Sequence, residues 1–311
     1  MRVWRSLEEI PAGLPYPVVT IGNFDGVHLG HQRIMEIVRE RAEREGGASI
    51  VFTFDPHPAR VLAPERPFKL LTPTPFKLEL FEKQGVDATL VLPFTEQLSH
   101  LAPEEFVRKV LVERIGAREV VVGDNFRFGY KHAGNVLLLE RLGQELGFRA
   151  DDVPPVQIRG GVVSSSLIRA LVGRGDIMQA GRLLGRCFSV RGRIVSGLRI
   201  GRSRTVPTLN LEPYTEMLPA DGVYITETAC DGGPPGISVT NVGKSPTFHL
   251  HELRVESFLL EQAPPPEAAR MEIFFWRRLR GEAEFSSAEE LKRQILRDAA
   301  RARRFFKLLR D

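Results

Sequence analysis

The sequence predicts a parallel α/β sheet domain followed by a small antiparallel β-barrel domain with a C-terminal helix. Two features predict it. From Val18 to about residue 158, short apolar runs alternate with helical stretches, the signature of parallel strands bridged by helices. After Gly185 short β-rich runs lie between turn residues, the signature of a small barrel. The change of texture puts the domain boundary near Leu184, giving domains of residues 1–183 and 184–311.

The strand-like runs of the first part are Val18 to Ile21, Ala48 to Phe54, Ala88 to Leu92 and Val120 to Val122. Helices are expected over Gln32 to Arg44, Phe76 to Gln84, Pro103 to Arg114 and Gly134 to Leu146. In the first of these, Ile34, Ile37, Val38 and Ala42 share one face. In the second part the strand-like runs are Phe188 to Val195, Val206 to Leu211, Gly222 to Thr228, Gly236 to Asn241, Leu253 to Leu260 and Arg270 to Leu279. The last helix should run from Ser287 to about Phe306 and dock through Leu291, Ile295, Leu296 and Phe305.

Composition narrows the class. The chain has 311 residues, 42% hydrophobic and 26% charged, enough for two ordinary globular domains. Its two cysteines, Cys187 and Cys230, form no CxxC, which argues against a disulfide framework or a zinc ribbon. No segment reaches the roughly 18 apolar residues of a membrane span, so a cytoplasmic protein without membrane partners is expected. The net charge of +4 falls short of the basic stripe of a nucleic-acid binder. The Lys and Arg residues of the last helix also complement its dipole. Oligomeric state is not written in the sequence.

Ligands in a parallel sheet bind beyond the carboxyl ends of the strands, so the segments just after strands carry the chemistry. The first is Ile21-Gly22-Asn23-Phe24-Asp25-Gly26-Val27-His28-Leu29-Gly30-His31. Strand, glycine-rich turn and helix put backbone N–H groups and a helix dipole at the sheet mouth, where phosphates bind. His28 and His31 are spaced to project from one side of the first helical turn. By spacing alone an ordinary turn with structural histidines remains open.

The second segment is Thr53-Phe54-Asp55-Pro56-His57-Pro58, a loop shaped by two prolines. The third is Gly123-Asp124-Asn125-Phe126-Arg127-Phe128-Gly129. Asn125 can donate to and accept from an adenine or ribose edge, and Arg127 offers a planar cation. The fourth is Ser164-Ser165-Ser166-Leu167-Ile168-Arg169, a capped helix start with an arginine one turn in. Capping alone also accounts for the serines.

Together these motifs resemble the bacterial bifunctional riboflavin kinase/FAD synthetases. His28-Leu29-Gly30-His31 is similar to the HxGH motif of the nucleotidyltransferase superfamily. The resemblance implies a Rossmann-like, nucleotidyltransferase-type fold for the first domain. It implies ATP contacts at Gly22, Asn23, Phe24, Asp25, Gly26, His28, His31, Asn125, Arg127, Ser164, Ser165 and Arg169, with His28 and His31 catalytic. Phe54, Asp55, Pro56 and His57 would line the FMN pocket.

In the second domain, Pro207-Thr208-Leu209-Asn210 resembles the PTAN motif of riboflavin kinases, whose Thr and Asn oxygens suit Mg²⁺. Asn241-Val242-Gly243 with Pro246-Thr247-Phe248 resembles the family's NxGxxPTF segment. Glu256 stands where the family carries its catalytic glutamate, and Arg280 to Phe285 matches a C-terminal motif. Departures are Thr205, Val206 and Leu209, where the family reads Gly, Phe and Ala, and Ala263-Pro264-Pro265-Pro266-Glu267 in place of an acidic DLYG segment.

The resemblance thus implies phosphorylation of riboflavin to FMN and adenylylation of FMN to FAD, with ATP and Mg²⁺. The departures raise one rival, an FAD synthetase with a degenerate flavin-binding kinase domain. The basic last helix raises another, a flavin- or nucleotide-responsive RNA-binding protein.

Overall fold

The computed structural model describes residues 1–195, 208–244, 253–261 and 267–310. The chain folds as two compact units, Met1–Ser165 and Ser166–Asp311.

The first unit holds strands β1 (Arg2–Trp4), β2 (Pro17–Ile21), β3 (Ala48–Phe54), β4 (Ala88–Leu92), β5 (Glu119–Gly123) and β6 (Arg149–Val153). They form one parallel sheet in the order β1-β4-β3-β2-β5-β6. β2 and β3 are near-continuous apolar runs with buried interiors, as a sheet covered on both faces requires. The helices are α1 (Leu29–Arg44), α2 (Pro58–Leu62), α3 (Thr74–Lys83), α4 (Glu96–Ser99), α5 (Pro103–Phe106) and α6 (Val136–Leu146). α5 continues as a π-helical stretch, Val107–Ile115, so the single helix expected from Pro103 to Arg114 changes its hydrogen-bonding step midway. On α1, Ile34, Val38 and Ala42 are buried together with Met35, and Ile37 is half-buried at the rim.

The two edge strands, β1 and β6, are absent from the sequence reading. β1 has three residues and β6 carries Arg149, Asp151 and Asp152. An edge strand faces solvent along one side and needs no apolar run. The chain passes from β2 outward through β3 and β4, then returns to lay β5 on the other side of β2. This reversal makes the carboxyl ends of β2 and β5 the switch point where such sheets take ligands. A small hairpin, β7 (Gln157–Ile158) and β8 (Gly161–Val162), precedes α7 (Ser165–Gly173).

The second unit contains α8 (Ile177–Leu184) and strands β9 (Phe188–Val195), β10 (Leu209–Pro213), β11 (Gly222–Cys230), β12 (Gly236–Lys244), β13 (Leu253–Leu259) and β14 (Arg270–Arg280). The strands close into an antiparallel barrel in the order β10-β13-β12-β11-β14-β9. Thr226, Thr228, Ser238, Thr240 and Ser257 join by hydroxyl hydrogen bonds of 2.7–3.2 Å, all fully buried. The barrel interior is therefore partly polar, and each of these hydroxyls is satisfied by another.

α9 (Ala288–Arg310) packs Ala302 and Phe306 against Val223, Ile225, Ile237 and Val239. Leu296, expected on the docked face, is 52% exposed. Phe305 packs at the edge of that cluster and Leu291 and Ile295 are half-buried, while the fully buried positions are Asp298, Ala299, Ala302 and Phe306. Asp298 is fully buried and anchors the helix to Arg280 at 2.9 Å. A buried ion pair, which apolar periodicity does not report, sets the rotation of the helix.

Candidate active site

The turn after β2 is strained and well supported. Phe24 and Val27 both have positive φ, +50° and +41°, around Gly26 at +86°. For a bulky or β-branched residue this costs about 1–3 kcal/mol each. Burial offsets the cost: Phe24 and Val27 are 3% and 1% exposed in a cluster with Met35, Val51, Phe76, Leu80 and Phe81. Asp25 is 2% exposed. Its carboxylate accepts from the N–H groups of Leu71, at 3.0 and 3.2 Å, and Thr72, at 3.1 Å. Phe24 and Asp25, expected to touch ATP, thus have their side chains turned into the protein, where they hold the turn. Gly22 and Asn23 stay partly or fully exposed at its start.

His28 is the N-cap of α1, with Nδ1 accepting the His31 N–H at 3.4 Å. The two imidazoles stack, centroids 3.6 Å apart and planes 20° from parallel. Phe24 meets the His31 ring edge-on at 5.2 Å. Gly30 lets this happen: a Cβ there would lie 3.2 Å from the His28 ring. The spacing expectation of both rings on one side of the first helical turn is met.

The loop after β3 comes next to the same turn. Phe54 is half-buried against Phe94, while Asp55 and Pro56 are exposed. His57 caps α2 by accepting the Ala59 N–H at 3.1 Å, and its ring stacks on Phe68. Thr53 Oγ1 donates to the Asn23 carbonyl at 3.3 Å. Lys77, buried on α3, donates to that carbonyl at 3.1 Å and to Thr53 Oγ1 at 3.0 Å. Burial pushes its ammonium down to about 8, against the opposing pull of Asp25 and Asp55. The sequence reading missed Lys77. The available signal was a lysine on the apolar stripe, three and four residues before Leu80 and Phe81.

After β5, Asn125 and Arg127 are exposed and Phe128 is buried, its backbone bridging to Gly134. Ser165 Oγ donates to the Asp25 carbonyl at 2.8 Å, tying the start of α7 to the turn. Ser164 immediately precedes that helix, and Arg169 follows Ser165 by four residues on it.

In the barrel, Asn210 pairs with Glu256 across β10 and β13, and Glu256 pairs with Asn241 across β13 and β12. Directly opposed residues share a face, so the three form one row. Thr240 and Ser257, next in the strands, point into the hydroxyl network, so the row lies on the outer surface. Burial raises the Glu256 carboxyl, and Arg254 opposes the shift. Glu282 is raised by burial and by Asp221, and a hydrogen bond from Asn241 opposes that. The sequence reading did not single out Glu282. Thr208 is exposed just before β10. Among the expected motifs, Thr205, Val206, Pro207, Pro246 to Phe248 and Ala263 to Pro266 lie outside the described residues. Among the described residues no cluster of three or more His, Cys, Asp or Glu could hold a metal ion. No helix among them is long and apolar enough to cross a membrane.

Comparison with known proteins separates the two halves in the same order. Residues 13–167 match the FAD synthetase family, and residues 184–306 match the riboflavin kinase family. A bifunctional riboflavin kinase/FMN adenylyltransferase of Pseudomonas fluorescens is 36% identical over 311 residues, covering 97% of both chains. The protein of that name from Escherichia coli strain K12 is 34% identical over 294 residues, covering 94% of this chain and 93% of its own. The fold matches a Streptococcus pneumoniae crystal structure, described as a macrolide-efflux protein, with a TM-score of 0.88 and 27% identity. That match covers 97% of this chain and 98% of the other. With both halves matched and the relatives aligned almost end to end, the chain belongs to the bifunctional riboflavin kinase/FMN adenylyltransferase family.

Proposed function

We propose that this enzyme makes FMN from riboflavin at the outer row of the barrel and FAD from FMN at the mouth of β2 and β5. The observation that carries the second assignment is the stacked His28–His31 pair on a strained, buttressed turn at the sheet's switch point. The domains would be residues 1–183 for adenylyl transfer and 184–311 for the kinase.

In adenylyl transfer a phosphate oxygen of FMN attacks the α-phosphorus of ATP in line. The new P–O bond forms as the bond to the β-phosphate oxygen breaks, and pyrophosphate leaves. The FMN phosphate is largely dianionic near neutral pH, since its second ionisation lies at about 6, so no general base is needed. Catalysis is positioning and charge stabilisation. His28 accepts at Nδ1, which leaves its proton on Nε2, the donor form. His28 and His31 would donate to the α-phosphate and the departing oxygen. The Gly22 to Gly26 backbone admits the phosphates. Asn125 and Arg127 would contact the nucleotide, and Ser164, Ser165 and Arg169 the outer phosphates. Phe54, Asp55, Pro56 and His57 would wall the flavin.

In the kinase reaction Glu256 would take the proton of riboflavin's primary alcohol as that oxygen attacks the γ-phosphorus of ATP; the bond from that phosphorus to the β-phosphate oxygen breaks, and ADP leaves. Its raised carboxyl suits a base. The Thr208 hydroxyl and Asn210 carbonyl are hard oxygen donors beside Glu256 and fit Mg²⁺. When bound, the ion would neutralise charge on the nucleotide phosphates. A cytoplasmic location suits these substrates. Chromatography of the products from riboflavin plus Mg-ATP, then from FMN plus Mg-ATP, tests both sites. FMN and FAD are expected from the first and FAD from the second. Absence of both FMN and FAD in the first, with FAD formed in the second, would reduce the barrel to a flavin-binding domain.

A further inference from the structure

Lys77 stands out among the buried groups. It is 4% exposed, yet its Nζ meets two neutral oxygens, the Asn23 carbonyl at 3.1 Å and Thr53 Oγ1 at 3.0 Å. Those oxygens belong to different loops. Asn23 lies in the turn that leads to the histidine pair, and Thr53 immediately precedes Phe54, Asp55, Pro56 and His57. Thr53 Oγ1 also donates to the Asn23 carbonyl, so three groups close a triangle between the loops.

A buried ammonium is costly unless it is well paired, and an apolar residue of similar volume is often as stable or more so. Lys77 shares the buried face of α3 with Phe76, Leu80 and Phe81, a face otherwise built of apolar residues. Packing therefore does not require an ammonium here. What the ammonium adds is a fixed distance between the two loops. The titratable groups facing it are Asp25 from the turn and Asp55 from the loop after β3.

We propose that Lys77 is a positioning residue for adenylyl transfer: its ammonium locks the Asn23 carbonyl to the end of β3 and sets the spacing between the nucleotide turn and the flavin loop. This rests on FMN being adenylylated at that mouth. The ammonium acts on the approach of two bound substrates, so its loss lowers kcat more than it raises either KM.

The test uses the full chain, with FAD formation from FMN and Mg-ATP followed from pH 6.5 to 9.5, and the variant Lys77→Met. The wild type is expected to lose kcat as pH rises through about 8. Lys77→Met is expected to keep a melting temperature at or above that of wild type at pH 7, with kcat reduced about a hundredfold. The variant should also lack the alkaline fall. A wild-type profile flat from pH 7 to 9.5 overturns the proposal without recourse to any variant. So does Lys77→Met with wild-type kcat, or with the alkaline fall intact, or with a collapsed melting temperature, which would make Lys77 a folding residue. If wild type forms no FAD at all, the assignment of the reaction fails, and this inference with it.

Discussion

The imidazoles of His28 and His31 lie in stacked contact, with centroids 3.6 Å apart, while His28 also caps the helix that carries His31. One residue therefore sets the start of α1 and the orientation of its partner. Removing His28 mixes two effects, loss of a cap and loss of a donor, unless the replacement keeps the first.

Asparagine separates them. It is a strong N-cap, so His28→Asn should keep α1 and change stability by less than about 1 kcal/mol. Loss of a preorganised donor should still lower kcat for FAD synthesis about a hundredfold to a thousandfold. Riboflavin phosphorylation in the same preparation should be unchanged. Calorimetry and the two product assays check this, and FAD synthesis at the wild-type rate would remove His28 from the catalytic pair.

Asp25 should matter first to folding. Asp25→Ala leaves the Leu71 and Thr72 N–H groups without their carboxylate acceptor in a buried place. The expected cost is about 3 kcal/mol, visible as an earlier calorimetric transition. Saturating ATP should recover part of it by mass action if the turn is a nucleotide site.

Glu256 predicts a pH profile for the kinase. Burial raises its carboxyl above the ordinary value of 4.5, and the base must be ionised to accept a proton. The acid limb of riboflavin phosphorylation should therefore lie above the usual carboxylate range. Glu256→Gln should lower the rate about a hundredfold to ten-thousandfold. The stability sign follows from the same shift. Because the folded value exceeds the unfolded one, the contribution is full below the unfolded value and is lost as pH rises through the folded value. Denaturant titrations at pH 4 and pH 7 should show that loss in wild type and not in the glutamine variant.

Gly243 makes room for Glu282. A Cβ on Gly243 would fall 1.6 Å from Glu282 Oε1. The Glu282 side chain is exposed, so Gly243→Ala should displace its carboxylate from Asn241 at a cost in stability under about 1 kcal/mol. If Glu282 serves the kinase row, riboflavin phosphorylation should drop about tenfold or more, with FAD synthesis from FMN untouched.

Much of the architecture was legible because burial writes itself as pattern. The apolar runs of β2 to β5 and the six β-rich runs of the barrel each became strands. The histidine spacing placed both rings on one side of the first turn, and the structure adds that they stack. Polar groups that act inward were not legible, since a single carboxylate or ammonium has no period. Asp25, expected to touch ATP, is a buried clamp on the Leu71 and Thr72 N–H groups. Lys77, which the sequence reading passed over, bridges two loops. Asp298 set the face of α9 against the leucine pattern. Edge strands β1 and β6 escaped for the complementary reason, that solvent on one side frees them from apolar composition.

The Ser165 hydroxyl on the Asp25 carbonyl has a practical consequence for dissecting the enzyme. The residue that ends the first unit also clasps the strained turn that carries Phe24 and Val27. A gene fragment stopping at Val163 would encode every strand of the sheet and still leave the turn without that clasp. One continuing through Gly173 would retain it. The shorter fragment should be the poorer adenylyltransferase of the two, although both contain His28 and His31, and the minimal autonomous catalyst would then be set by one hydrogen bond rather than by the edge of the sheet.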